Sequence, residues 1–343
     1  MKRKAFNLFL PLFLLIFISS EGVVNPKEKS KSSTQTKNSS AVEYYQKGRK
    51  SYLLFTPKGF LDAINYYNKA IEADPNFAPA YSGLGEIYSF IGYYKMEVKE
   101  DYEDSYNRSY ENMLKALKLD PKSIDTQRAL ALSYLHLRRI DEAEAAARRA
   151  LELDPNDAES YYVLWATSGR DPESPYIKKA LELDPKLVVA YIGLGNAYLF
   201  NKGNYAKATE YYRKAVEITN SPQLHNYLGT SLRTQGYFDE AVSEYLKAIE
   251  LDPNYAPAYM NLGATFLYMS KFGDSINEEQ KAISLNSNDP EAYYHLARAL
   301  ELSGKPKEAI ENYRIFINLA SDQEKYADYV ENARRSIEKM SRK

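Results

Sequence analysis

The sequence predicts an all-α fold, an α-solenoid of about eight antiparallel helical hairpins finished by one further helix. Three observations predict it. A Leu followed by a mostly small residue recurs as Leu84-Gly85, Leu130-Ala131, Leu194-Gly195, Leu228-Gly229, Leu262-Gly263 and Leu296-Ala297, with Leu164-Trp165 as a variant. Steps between the second members are 46, 34, 30, 34, 34 and 34 residues, a regularity that chance does not produce. In phase with it, Lys- or Arg-Ala-aliphatic runs to an Asp-Pro, as in Lys69-Ala70-Ile71 to Asp74-Pro75, Arg149-Ala150-Leu151 to Asp154-Pro155 and Lys247-Ala248-Ile249 to Asp252-Pro253. Finally, apolar residues are spaced three and four apart, as in Ala241, Val242, Tyr245, Ala248 and Ile249, and no segment alternates convincingly as a strand.

The chain opens on Lys2, Arg3 and Lys4, an apolar run from Ala5 to Ile18, and then Ser19, Ser20, Glu21 and Gly22. A basic head, a short apolar core and a small-residue exit describe a secretory signal over residues 1–22. The run is shorter than the roughly 20 residues that span a bilayer. Cleavage after Ser20 or Gly22 and retention as an anchor through residues 5–18 both stay open, so the expected location is periplasmic or extracellular. Residues 23–40 are dominated by Lys, Ser, Thr and Asn and are expected to be a flexible linker.

The array then runs as hairpins 41–77, 78–123, 124–157, 158–187, 188–221, 222–255, 256–289 and 290–323. The residue before Pro is steered away from the α region, so each Asp-Pro ends a helix. Pro257 and Pro290 sit near helix starts, where a missing N–H is tolerated. Gly92, Gly203, Gly236 and Gly304 are expected at the turns inside hairpins. Small residues at the Leu-Gly marker let two helices approach closely. Residues 324–343 form a capping helix, with Tyr326, Tyr329, Val330, Ala333, Ile337 and Met340 inward and Arg334, Arg335 and Lys339 in water.

Two hairpins depart from the period. The second carries 12 extra residues near 93–105, read either as a lengthened helix or loop or as an acidic, aromatic lip. The fourth is four residues short and places Trp165 where its sisters carry Gly or Ala. Its truncated second helix leaves a space that the Trp is expected to fill.

The 34-residue helix-turn-helix period with both markers in phase resembles the tetratricopeptide-repeat family over about 280 residues. The resemblance implies a right-handed superhelix whose first helices line a concave face that holds a polypeptide. Carried onto this chain, the partner-binding positions are Arg128, Leu132 and His136, then Tyr162, then Ile192, Asn196 and Phe200. Asn226, Thr230 and Arg233 follow, then Met260, Asn261, Ala264 and Tyr268, and last Tyr294, His295 and Arg298. Only isolated positions, such as Asn196 and Asn261, match family members that clamp a C-terminal carboxylate, so that ligand is not carried over.

Composition narrows the function further. With no Cys, disulfides, thiolate zinc sites and cysteine nucleophiles are excluded, and a formal net charge of −1 gives no basic field for nucleic acid. His136, His225 and His295 fall in different hairpins, no phosphate loop follows a strand, and acid pairs such as Glu278-Glu279 and Glu142/Glu144 read as solvated helix faces. No metal, cofactor or catalytic centre is expected. Tyr, at 32 residues, either fills half-exposed packing positions or lines a binding surface. The expected function is a non-enzymatic scaffold for a protein or peptide partner in an extracytoplasmic space. The alternative is an accessory subunit presenting substrate to an envelope enzyme such as a glycosyltransferase. Membrane contact would come only through the N-terminal segment, if uncleaved.

Overall fold

The computed structural model describes residues 34–54, 57–97, 102–201 and 203–342. Among them stand seventeen α-helices and no strand. The first ten are α1 (Thr34–Tyr52), α2 (Pro57–Ala73), α3 (Ala78–Glu97), α4 (Glu103–Leu119), α5 (Ile124–His136), α6 (Ile140–Leu153), α7 (Ala158–Thr167), α8 (Pro175–Leu183), α9 (Val188–Asn196) and α10 (Tyr205–Ile218). They are followed by α11 (Pro222–Thr234), α12 (Phe238–Leu251), α13 (Ala256–Tyr268), α14 (Phe272–Leu285), α15 (Pro290–Leu302), α16 (Pro306–Ala320) and α17 (Ala327–Ser341). The expected secretory segment and residues 23–33 of the expected linker lie outside the described residues. Residues 34–40, also expected as linker, are instead the first turns of α1. Once the packed part of a helix has met the nucleation cost, each added turn needs little, even from Thr, Lys and Ser.

The helices fall into two units, one ending at Ser221 and one beginning at Pro222. In the first, α1 to α10 pair as five hairpins, and the first helices α1, α3, α5, α7 and α9 touch in succession. In the second, α11 to α16 pair as three hairpins whose first helices α11, α13 and α15 also touch, and α17 packs on α16.

The Asp-Pro turn explains both the helix stop and part of the tyrosine excess. Asp154 and Asp252 close α6 and α12 with extended backbone. Their Oδ1 atoms accept from the amides of Asn156 and Asn254 at 2.9 and 3.0 Å. Across the turn, the hydroxyls of Tyr81, Tyr191 and Tyr259 donate to the carbonyls of Pro75, Pro185 and Pro253 at 3.1, 3.0 and 3.1 Å. Larger contributions come from Tyr67, Tyr212, Tyr245 and Tyr313, which are fully buried on second helices. The first three rings press on Gly48, Gly195 and Gly229, where no Cβ would fit. Much of the tyrosine is therefore packing.

Gly203, Gly236 and Gly304 hold positive φ of 61°, 85° and 79° at the turns within their hairpins. Gly92 does not. The extra residues lengthen α3 and α4 to 20 and 17 residues, so α3 runs through Gly92 and packs it against Tyr106. The fourth hairpin is short because α8 has only 9 residues. Trp165 is fully buried beside it, donates Nε1–H to the Asp171 carbonyl at 2.8 Å and presses on Gly193 of α9. At the C-terminal end, Tyr326, Val330 and Ala333 bury against Tyr313, Phe316 and Ala320, while Arg334, Arg335 and Lys339 are exposed. The last hairpin's apolar face is covered.

Candidate functional site

In each unit the first helices present one side that second helices do not cover. The two units fill that side differently.

In the first unit it is closed by ion pairs. Arg49 of α1 pairs with Glu86 of α3 at 3.1 Å and with Glu159 of α7 at 2.6 Å. Arg128 of α5 pairs with Asp157 at 3.0 Å, Glu159 at 3.3 Å and Asp125. Two guanidiniums and four carboxylates thus tie together four successive first helices. Arg128, a sequence candidate for partner contact, is committed inside this network. Leu132 is buried. His136 Nδ1 lies 3.0 Å from the Ser89 hydroxyl, which itself donates to the Glu86 carbonyl at 2.7 Å; the ring is edge-on to Phe90, and burial pulls its pKa down to about 4. Tyr162 leans on Trp165, with ring centroids 5.8 Å apart. Ile192 is half-buried, and Asn196 accepts from the Tyr212 hydroxyl at 2.7 Å. Phe200, 50% exposed on a π-helical turn at Ala197–Asn201, is the sequence candidate most open to solvent here.

In the second unit the corresponding side holds polar groups whose hydrogen-bonding capacity is unfilled. Asn261 donates to Asn226 Oδ1 at 2.9 Å across α11 and α13, and the Asn226 Nδ2 group is buried with no acceptor. Thr230 faces the Tyr245 hydroxyl at 3.3 Å. The Arg233 guanidinium lies 5.8 Å from the Tyr268 ring centroid, with its Nε buried and unpaired. Tyr268 itself is 65% exposed and stacks on Phe238. Met260 and Ala264 are buried beside them. On α15, Tyr294 packs against Tyr313, Phe316 and Tyr329, while Arg298 approaches Glu301 at 3.7 Å. His295 places Nδ1 3.3 Å from Glu279 Oε1. Burial holds the imidazole neutral, its pKa pulled to about 3, and burial first, then neighbouring acids, hold the Glu279 carboxyl well above the usual range. The contact is therefore between neutral groups, and its alignment is too poor for a hydrogen bond.

Of the sequence candidates, the structure gathers Asn226, Thr230, Arg233, Met260, Asn261, Tyr268, Tyr294, His295 and Arg298 on three adjacent helices. It disperses the first-unit candidates into packing and ion pairs. Sequence reasoning missed Arg49, Glu86 and Glu159, and it took Glu279 for a solvated acid when the side chain is fully buried. Adjacent helix positions point about 100° apart, so Glu278 and Glu279 face different surroundings. A signal for Glu279 was present: it stands 16 residues after Gly263, where Tyr245 stands 16 after Gly229 and Tyr313 stands 16 after Ala297.

No helix among the described residues is long and apolar enough to cross a membrane. A family model described as TPR repeat matches residues 229–270, and three described as tetratricopeptide repeat match residues 125–157, 188–222 and 279–311. The chain is 26% identical over 266 residues to Superkiller complex protein 3 of Homo sapiens, covering 63% of this chain and 16% of that protein. It is 33% identical over 99 residues to the probable UDP-N-acetylglucosamine–peptide N-acetylglucosaminyltransferase SPINDLY of Hordeum vulgare, covering 26% of this chain and 10% of that protein. The chain thus spans only a small part of the length of these relatives. Among solved structures, Cut9 with Hcn1 from the APC/C hetero-tetramer superposes with a TM-score of 0.63 at 20% identity, covering 83% of this chain and 54% of that one. Yeast Tom70 superposes with a TM-score of 0.52 at 21% identity, covering 86% and 64%. At these identities the likeness is one of fold.

Proposed function

The chain belongs to the tetratricopeptide-repeat family, and from that premise we propose that it is a non-enzymatic scaffold holding a polypeptide partner against α11, α13 and α15. One observation carries the proposal: α11 and α15 offer buried polar atoms with no partner, Asn226 Nδ2, Arg233 Nε and His295 Nδ1, on either side of α13 with its exposed Tyr268. Buried donors left unpaired are costly, and an extended or helical peptide supplies the acceptors and apolar area that would complete them. Repeat proteins of this class meet their partners as proteins, in keeping with the Cut9–Hcn1 complex. The basic head and apolar run of residues 2–18 support an extracytoplasmic site of action. A second reading, an accessory subunit presenting substrate to an envelope enzyme, draws on the likeness to SPINDLY. Crosslinking in intact cells followed by purification of the tagged chain tests both. A polypeptide crosslinked through Tyr268 or Arg298 supports the scaffold reading. Capture of glycans with no protein refutes it, and capture of a catalytic subunit favours the second.

A further inference from the structure

The seventh hairpin departs from its neighbours at one buried position. In the sixth and eighth hairpins, the fully buried Tyr245 and Tyr313 send their hydroxyls between the helices. Tyr245 donates to Thr230 at 3.3 Å and Tyr313 to Glu301 at 2.8 Å. The seventh hairpin carries Glu279 in that place, packed on Gly263 as Tyr245 packs on Gly229. A glutamate is shorter than a tyrosine and, when ionised, only accepts. Neither Glu279 oxygen has a hydrogen-bond partner, although the side chain is fully buried. Held neutral by burial, the carboxyl keeps one O–H of its own, but its oxygens still meet no partner.

The surrounding charges select the kind of donor. Asp289 at the N-cap of α15, Glu291 within α15 and Glu278, which shares α14 with Glu279, act on Glu279 with negative sign, and Arg233 of α11 with positive sign. Arg233 does not close the gap: its guanidinium is engaged by the Tyr245 hydroxyl and lies against the Tyr268 ring. The acids outnumber the bases, so a neutral donor would leave the excess in place. A cationic donor would fill the empty oxygens and offset the neighbouring acids together.

Resting on the reading that α11, α13 and α15 hold a polypeptide, we propose that Glu279 forms the floor of a specificity pocket for one basic side chain, Lys or Arg, of that polypeptide. The ammonium or guanidinium takes the place that tyrosine hydroxyls occupy in the neighbouring hairpins. Glu279 ionises as the cation arrives, and its proton leaves to solvent. The His295 ring, 23% exposed and in contact with the carboxyl, turns aside to admit the side chain.

Selection from a random peptide library on the purified full chain tests the pocket. Retained peptides are expected to share Lys or Arg at one register position, and replacing that residue by Ala should weaken binding by about tenfold or more. Glu279→Gln, which keeps size and removes charge, and Glu279→Tyr, which restores the neighbours' residue, should each bring the basic peptide down to the affinity of its Ala version. That Ala version should bind all three proteins alike. Retained peptides with no basic preference, or a preference surviving both substitutions, overturn the pocket while leaving the groove standing. If the chain retains no peptide at all, the groove reading falls and the pocket with it.

Discussion

Gly229→Ala is a sensitive probe of the repeat packing, because local and tertiary effects oppose each other there. In an isolated helix the change stabilises by up to about 1 kcal/mol, since Gly loses more backbone entropy than Ala. In this fold the new Cβ would stand 2.7 Å from Cε1, 2.9 Å from Cδ1 and 3.0 Å from Cζ of Tyr245. Carbon atoms pack at about 3.5–4.0 Å, so the ring must retreat by most of an ångström. It has nowhere to go: Tyr245 is fully buried and its hydroxyl is held toward Thr230. Overpacking of this kind costs about 1–3 kcal/mol, so the net expectation is a loss of up to about 2 kcal/mol after a propensity gain of about 1 kcal/mol is subtracted. Gly273, in the first turn of α14, is the control, because a Cβ there meets nothing within 4 Å. Gly273→Ala should be neutral or stabilising by up to about 1 kcal/mol. Urea unfolding followed by helical circular dichroism measures both, with midpoints compared at constant slope. A Gly229→Ala midpoint at or above the parent's would show that the α11–α12 contact is looser than drawn and refute the reasoning.

Three other outcomes are expected. Arg128→Ala should lower stability by about 3 kcal/mol, the low end for breaking a buried ion pair because Glu159 keeps Arg49; an unchanged urea midpoint would mean that the network adds nothing. His136 has its pKa lowered by burial from 6.5 to about 4, so below pH 6.5 the unfolded chain binds a proton that the folded chain refuses. Its share of stability therefore falls as pH drops from about 6.5 to about 4, and His136→Gln should flatten melting temperature over that window; parallel pH profiles for parent and variant would count against it. Glu279→Tyr should raise the urea midpoint, because it replaces an unpartnered buried carboxyl with the residue its neighbours use. A drop would mean that the hairpin is shaped around the carboxyl.

The parts legible in the sequence are those that local chemistry dictates. An Asp-Pro stops a helix wherever it occurs, and a Leu-small pair marks a close approach whatever the partner helix, so the helices and their pairing could be read from spacing alone. Trp165 in the space beside a shortened α8 followed from counting missing residues. Gly92 was misread because a turn glycine and a close-packing glycine look the same in sequence, and in this hairpin α3 continues through it. The ion network lay out of reach for another reason. Arg49 and Glu159 are 110 residues apart, and periodicity tells which side of a helix a charge lies on but not which charge meets it. Among the sequence candidates the same limit separates Arg128, shared among carboxylates inside the chain, from Arg233, which meets Tyr245 and Tyr268 and keeps an unpartnered Nε.

That difference bears on where a partner can be held. A face lined with charges has to be neutralised by something, and in the first unit the chain does this itself, with Arg49 and Arg128 shared among Glu86, Asp125, Asp157 and Glu159. A ligand entering there would have to break paired, half-desolvated ions before forming contacts of its own, so most of its binding energy would only restore what was lost. In the second unit no such exchange is needed. Asn226, Arg233 and Glu279 carry polar atoms that the fold leaves unpaired, at a cost in stability that a folding requirement alone would remove. Residues that break the local rule without compensation inside the chain are best explained by compensation from outside it. The first unit also buries unpartnered atoms, at Tyr67, Glu86, Gln127, Ser133 and Ser160; the second unit differs in that its three cluster on α11, α14 and the helices they touch, where, among the described residues, no ion network like that of Arg49 and Arg128 closes the face.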